Sequence, residues 1–90
     1  MPKLLILDRG AHELLVDAIW GRLKVARDDR EPTVDMVEAG NALDVQHEGP
    51  YDLRPLTVEI SHPARKVVEA AIENVLELEP ELEETLCWLA

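Results

Sequence analysis

Residues 63–78 place the strongest constraint on the fold, because they combine a helical apolar pattern with clear signals at both ends. Ser61 and His62 precede a proline that suits the first turn of a helix, and Pro80 prevents the helix from continuing. Apolar residues recur every three or four positions and cover one half of the helix. They are Ala64, Val67, Val68, Ala71, Ile72, Val75 and Leu76. The pattern predicts a helix over 63–78 that buries this half against other elements.

A second helical pattern covers residues 11–26, and Asp8 is a suitable N-cap for it. One side carries Leu15, Val16, Ile19, Leu23 and Ala26, with Trp20 at its margin. Leu14, Ala18 and Val25 extend the apolar surface beyond this side, so we expect the helix to be contacted from two directions. Gly21 costs about 1 kcal/mol relative to Ala inside a helix. It therefore predicts either a closely packed neighbour or a break in the helix.

The remaining segments favour strands. Residues 33–38 and 42–48 flank Gly40-Asn41, which favours a hairpin, and residues 56–61 alternate between apolar and polar. Residues 3–7 are either a strand or the approach to a helix, and residues 81–89 have the spacing of one or two helical turns. We expect an α+β fold, one small domain over 1–90. Its three- to four-stranded, mainly antiparallel sheet would carry two main helices on one face and a short C-terminal helix.

The charge is strongly acidic and unevenly distributed. There are 19 Asp and Glu against 9 Lys and Arg, a net charge of −10. Residues 1–30 have a net charge of +1, so the acidity belongs to residues 31–90. This balance argues against direct binding of DNA or RNA, which needs clustered cations. No stretch approaches the roughly 20 apolar residues of a membrane span, and residues 1–8 do not resemble a secretion signal. With one cysteine and hence no internal disulfide, the chain is expected to be cytoplasmic.

Catalytic chemistry is not indicated by any motif. Cys87 has no cationic neighbour in sequence to activate it, and we expect a small buried thiol. Ser61 is interpreted as a helix cap rather than a nucleophile. His12, His47 and His62 come from three separate elements and would hold a metal only if the fold brought them together. The sequence thus predicts no enzyme, no metal and no cofactor, and a small enzyme using a histidine or a carboxylate pair stays as an alternative.

The acids of the helix predicted over 63–78 form a regular stripe. Glu69, Glu73 and Glu77 are spaced four residues apart, about 6 Å along a helix axis. Such like-charged pairs cost about 0.2–0.5 kcal/mol each. Glu81 and Glu84 continue the negative charge past Pro80, together with Glu79 and Glu83. If the predicted strands bury their apolar face, their reverse face is also acidic and shows Asp44, Gln46, Glu48, Thr57 and Glu59.

These surfaces predict a non-enzymatic protein that engages a basic protein partner, such as a nucleic-acid-binding complex, without binding nucleic acid or membrane itself. The predicted binding residues are Glu69, Glu73, Glu77, Glu81, Glu84, Asp44, Glu48 and Glu59. In composition alone, the chain resembles small acidic inhibitors of nucleases and phage-defence complexes and immunity proteins for basic toxins, which implies an inhibitor or nucleic-acid mimic. The alternative is a structural or regulatory homo-oligomer with a solvated acidic surface, suggested by Trp20, Trp88 and the apolar residues 86–90.

Overall fold

Short strands and longer helices make up the computed structural model, which describes residues 2–44 and 55–89. In chain order they are β1 (Lys3–Ile6), α1 (Arg9–Asp28), α2 (Val34–Leu43), β2 (Leu56–Glu59), α3 (His62–Leu78), a 3₁₀ helix (Pro80–Thr85) and β3 (Leu86–Leu89). The fold is α+β, as predicted. No helix in the described ranges is long and apolar enough to cross a membrane.

The sheet has three strands with β1 in the centre, antiparallel to both β2 and β3. Residues 3–7, whose structure the sequence left open, therefore contain the central strand, Lys3–Ile6. Leu4 and Ile6 point to one face and are almost fully buried. Leu4 is paired with Val58 on one side and with Trp88 on the other. This inner face joins the buried residues of the three helices in one apolar core.

Helix α1 follows the predicted pattern closely. It starts where the Asp8 side chain accepts a hydrogen bond from the Gly10 backbone N–H at 2.7 Å. Its buried apolar residues are Ala11, Leu15, Ile19, Leu23 and Ala26. The helix passes through Gly21 without a break, and α2 and α3 both pack against it. Its last turn closes at Arg30, whose φ of 57° lies in the left-handed region.

The predicted hairpin over 33–38 and 42–48 is wrong, because residues Val34–Leu43 form helix α2. Its buried residues are Ala39, Gly40 and Leu43, and the interval from Ala39 and Gly40 to Leu43 is that of one face of a helix. Gly40 lies inside this helix rather than in a turn. Because it has no side chain, the Trp20 ring can pack directly against it. A Cβ built at Gly40 would lie 2.6 Å from Trp20 Cη2. The second half of the predicted hairpin, from residue 45 onward, lies outside the described residues.

Helix α3 confirms the prediction of a helix over 63–78. The Ser61 side chain accepts a hydrogen bond from the Ala64 N–H at 3.3 Å and so caps the first turn. Ala64, Val68, Ala71 and Val75 are buried, as the apolar pattern predicts. Past Pro80 the prediction is only partly correct. Residues Pro80–Thr85 form a 3₁₀ helix, but Leu86–Leu89 form β3, because β1 offers a free edge with which these residues pair.

The outer face of the sheet differs from the acidic face that was predicted. Its side chains are Lys3, Leu5, Thr57, Glu59, Cys87 and Leu89. The single acid, Glu59, lies 3.8 Å from the Lys3 ammonium. Asp44 does not belong to a strand, since it follows the last turn of α2 and donates its N–H to the Gly40 carbonyl at 2.9 Å. Among the described strands, the outer face is therefore mixed rather than acidic.

Candidate protein-binding surface

The glutamates of α3 project from the side of the helix opposite to its buried residues. Glu69, Glu73 and Glu77 are all exposed, as the stripe predicts. Glu69 is the one with a local cation, because the Arg65 Nε donates to its Oε1 at 2.7 Å. The Arg65 guanidinium also lies over the Trp88 ring, 4.4 Å from its centroid. Arg65 is therefore held in place from two sides, and its charge is directed to the first turns of α3.

The negative charge continues beyond α3 on an anchored turn. Leu82 of the 3₁₀ helix is only 7% exposed and belongs to the apolar core. Thr85 Oγ1 donates to the Leu82 carbonyl at 2.6 Å and closes this turn. The acids around Leu82 all face solvent; they are Glu79, Glu81, Glu83 and Glu84. Their backbone is thus fixed by packing, while their carboxylates stay accessible.

We use the term acidic segment for Glu73, Glu77, Glu79, Glu81, Glu83 and Glu84. No Lys or Arg follows Lys66 in the chain. Elsewhere ion pairs join Lys3 to Glu59 at 3.8 Å, Arg9 to Glu13 at 3.9 Å, and Arg65 to Glu69 at 2.7 Å. Within residues 2–44 and 55–89, no ion pair or hydrogen bond engages a carboxylate of the acidic segment. These six side chains are therefore available to an external cation.

Two of the other predicted binding residues, Asp44 and Glu59, lie on other elements. Asp44 is exposed at the end of α2, and Glu59 is exposed on β2, where Lys3 partly neutralises it. Glu48 lies outside the described residues. The predicted set therefore divides into a run over α3 and the 3₁₀ helix and isolated acids on other elements. Sequence spacing could identify the run, because its members share one helix and the turn that follows it.

The histidines are not brought together in the part of the chain that the structure describes. His12 is 7% exposed, and its Nε2 donates to the Leu43 carbonyl at 2.6 Å, which links the start of α1 to the end of α2. His62 is exposed at the first turn of α3, and His47 lies outside the described residues. In the described ranges, no group of three His, Cys, Asp or Glu side chains could hold a metal ion.

The position of Cys87 differs from the sequence interpretation. Cys87 was expected to be buried, but it is exposed on the outer face of the sheet. Its strand pairs with β1, so residues 86–89 alternate between the two faces, and Cys87 falls on the solvent side. The expectation relied on the lack of a cationic neighbour in sequence, which could not reveal this alternation. Ser61, the other nucleophile considered, is engaged in capping α3.

The outer side of α1 is a surface that the sequence analysis did not assign to a function. An open groove of about 460 Å³ runs between α1 and α2, and its lining includes Ala18, Gly21, Val25 and Met36. Val25 is 60% exposed, and a Cβ built at Gly21 meets no atom within 4 Å. The sequence signal for this surface was the apolar surface beyond the buried side of the helix, together with the helix-interior glycine.

Comparison with protein-family models, with curated proteins and with solved structures finds no match to this chain.

Proposed function

We propose that this protein binds a basic protein partner in the cytoplasm through the acidic segment and performs no catalysis. The observation that supports the proposal is the state of six carboxylates. They are exposed, they follow one another on α3 and the 3₁₀ helix, and they have no cation within the described chain. Unpaired charges of one sign raise the rate at which an oppositely charged partner associates and favour that class of partner.

The regular spacing suggests what the partner surface looks like. Glu69, Glu73 and Glu77 repeat every four residues, about 6 Å along the axis of α3. A partner with Arg or Lys at similar intervals, such as a groove that normally holds a nucleic-acid backbone, matches this row. In that form the protein would act as a nucleic-acid mimic and would inhibit the partner by occupying its groove.

Unfavourable local energetics also support a role for these acids. The pairs Glu69–Glu73 and Glu73–Glu77 are like charges at helical spacing, and such a pair destabilises a helix by about 0.2–0.5 kcal/mol. The repulsion is weaker in the first pair, because Arg65 is ion-paired with Glu69. Glu77 lies near the C-terminal end of α3, where the helix dipole disfavours an anion. Solubility alone is obtained from acids placed anywhere on the surface. A concentrated row therefore has a local cost that a partner's cations would remove.

The test compares two double variants that remove the same charge from different places. Glu73→Gln/Glu77→Gln changes the acidic segment, whereas Asp35→Asn/Glu38→Gln removes two exposed acids from α2. A partner captured with the wild-type chain is purified, and its affinity for each variant is measured by calorimetry at two ionic strengths. These are chosen to give Debye lengths of about 30 Å and about 8 Å.

We expect the α3 variant to bind at least about tenfold more weakly, which corresponds to about 1.4 kcal/mol, and the α2 variant to bind like the wild type. Affinity for the wild type should fall as the salt concentration rises, because the contacts are between exposed charges. Equal affinity of the α3 variant and the wild type, or affinity independent of salt, would rule out the acidic segment as the binding surface.

A further inference from the structure

The outer side of α1 carries an apolar row that the described elements cover only in part, where Leu14 and Ala18 pack against the core. Leu14, Ala18, Gly21 and Val25 follow one another at intervals of four, three and four residues, which places them along one side of the helix. Leu14 and Ala18 are half-buried, and Gly21 and Val25 are exposed. Intervals of three and four residues are those by which one helix packs along another. This row, which we call the α1 seam, has the geometry of a helix–helix contact.

Gly21 has no packing explanation among residues 2–44 and 55–89. It is exposed inside a continuous helix, and a Cβ at this position would meet nothing within 4 Å. Glycine there costs about 1 kcal/mol relative to Ala. With Ala18 next to it, Gly21 leaves the middle of the seam flat, so another helix backbone can approach closely. Leu14 and Val25 stand at the two ends of this flat region.

The charges on α1 indicate which helix fits. The first half of α1 carries Glu13 and Asp17 beside Arg9, whereas the second half carries Arg22, Lys24 and Arg27 beside Asp28. The first half is therefore net negative and the second half net positive. Two copies of α1 in antiparallel orientation place the negative half of each against the positive half of the other. In a parallel pair, like halves would meet.

The antiparallel pairing also brings particular side chains together. If Ala18 of one copy lies beside Gly21 of the other, Leu14 meets Val25 of the second copy and small residues face each other at the centre. Asp17 and Lys24 lie two helical turns apart on one flank of the seam, both exposed and without an ion pair in the described chain. In this register Asp17 faces Lys24 of the second copy, and the twofold symmetry makes the contact twice.

We infer that the α1 seam is a self-association surface through which two copies of this chain pair antiparallel. The contact spans twelve residues, about 17 Å of helix. A contact along so short a stretch of one helix buries less surface area than a standard interface. The pair is therefore a weak dimer that forms at high protein concentration. Its location suits an acidic protein, because α1 has a net positive charge whereas α2, α3 and the 3₁₀ helix are all net negative. This inference does not rest on the acidic segment.

A charge exchange on the flank of the seam tests the pairing. The variants are Asp17→Lys, Lys24→Asp and the double variant Asp17→Lys/Lys24→Asp, each compared with the wild type by sedimentation over a concentration series. We expect the wild-type mass to rise from one chain to two. Each single variant should dimerise about tenfold more weakly, because two attractions become two repulsions. The double variant should return to within about threefold of the wild type.

A second variant separates loss of the contact from loss of folding. Gly21→Lys should raise the unfolding midpoint, because Lys is a better helix former than Gly, yet it should prevent dimerisation by filling the centre of the seam. Glu73→Gln/Glu77→Gln should dimerise like the wild type. A wild-type chain that stays monomeric at the highest concentration reached, single variants that dimerise normally, or a double variant weaker than either single one would each overturn the proposal.

Discussion

Two glycines in neighbouring helices show how differently the same residue is used. Gly40 in α2 faces the Trp20 ring so closely that a Cβ would lie 2.6 Å from Cη2, a separation that real Cβ atoms do not show. We expect Gly40→Ala to lower the free energy of unfolding by about 1–2 kcal/mol, because the ring must shift in a packed region. This value is the net change, because the packing loss of up to about 3 kcal/mol exceeds the gain of about 1 kcal/mol that Ala brings as a helix former. Urea unfolding followed by tryptophan fluorescence measures it.

Gly21 is the matched control for this prediction. Its Cβ position is open, so Gly21→Ala should raise the free energy of unfolding by about 0.5–1 kcal/mol at low protein concentration. Effects of the same sign at both positions would contradict the packing argument. The sequence could not separate the two glycines, since Gly40-Asn41 has the composition of a hairpin turn. The position of Trp20, twenty residues away, explains why a residue without a Cβ is needed at this point of the helix.

The C-terminal end of α1 contains a residue held in an unfavourable backbone conformation. The Glu31 N–H donates to the Ala26 carbonyl at 2.8 Å, and the Arg30 N–H donates to the Arg27 carbonyl at 3.2 Å, the bonds of a Schellman motif. The residue in left-handed geometry is usually Gly, but here it is Arg30, with φ of 57°. We expect Arg30→Gly to stabilise the protein by about 1 kcal/mol, since it relieves this strain. Thermal unfolding measures the change.

Arg30→Ala is the control for the end of α1, because it removes the same side-chain charge and keeps a Cβ. If it stabilised the protein as much as Arg30→Gly, the gain would come from the charge rather than from the backbone.

The elements that sequence predicted best are those whose signals are local. The limits of α1 and α3 follow from the Asp8 and Ser61 caps and from apolar spacing, and each is a property of consecutive residues. Helix α2 was misread because its ten residues are too few to separate helical spacing from alternation, and its core contacts come from α1 and α3. Residues 86–89 became a strand because the edge of β1 lies beside them. Such contacts depend on the whole fold, which spacing cannot show.

At the scale of the whole molecule, the two proposed surfaces divide according to charge. The acidic segment concentrates anions on α3 and the 3₁₀ helix, and sequence spacing identified most of it. The second predicted acidic surface failed because the hairpin it required does not exist, and because Lys3 of the central strand lies beside Glu59. The α1 seam needed the structure, since spacing alone does not show that Gly21 and Val25 stay exposed among the residues 2–44 and 55–89 that the structure describes.

A final prediction concerns what the acidic segment costs the fold. Glu73 lies between Glu69 and Glu77, four residues from each, so its charge is repelled from both directions along α3. Replacing it by Gln removes two repulsions, and replacing it by Lys converts them into attractions. We expect the free energy of unfolding to rise in the order wild type, Glu73→Gln, Glu73→Lys, with steps of about 0.5 kcal/mol at low salt.

Chemical unfolding at low ionic strength measures this series. At about 1 M salt, where the Debye length is about 3 Å, the difference between the Gln and Lys variants should largely disappear. If the order persisted unchanged at high salt, helix propensity rather than charge would explain it, and the acidic segment would impose no electrostatic cost on the fold.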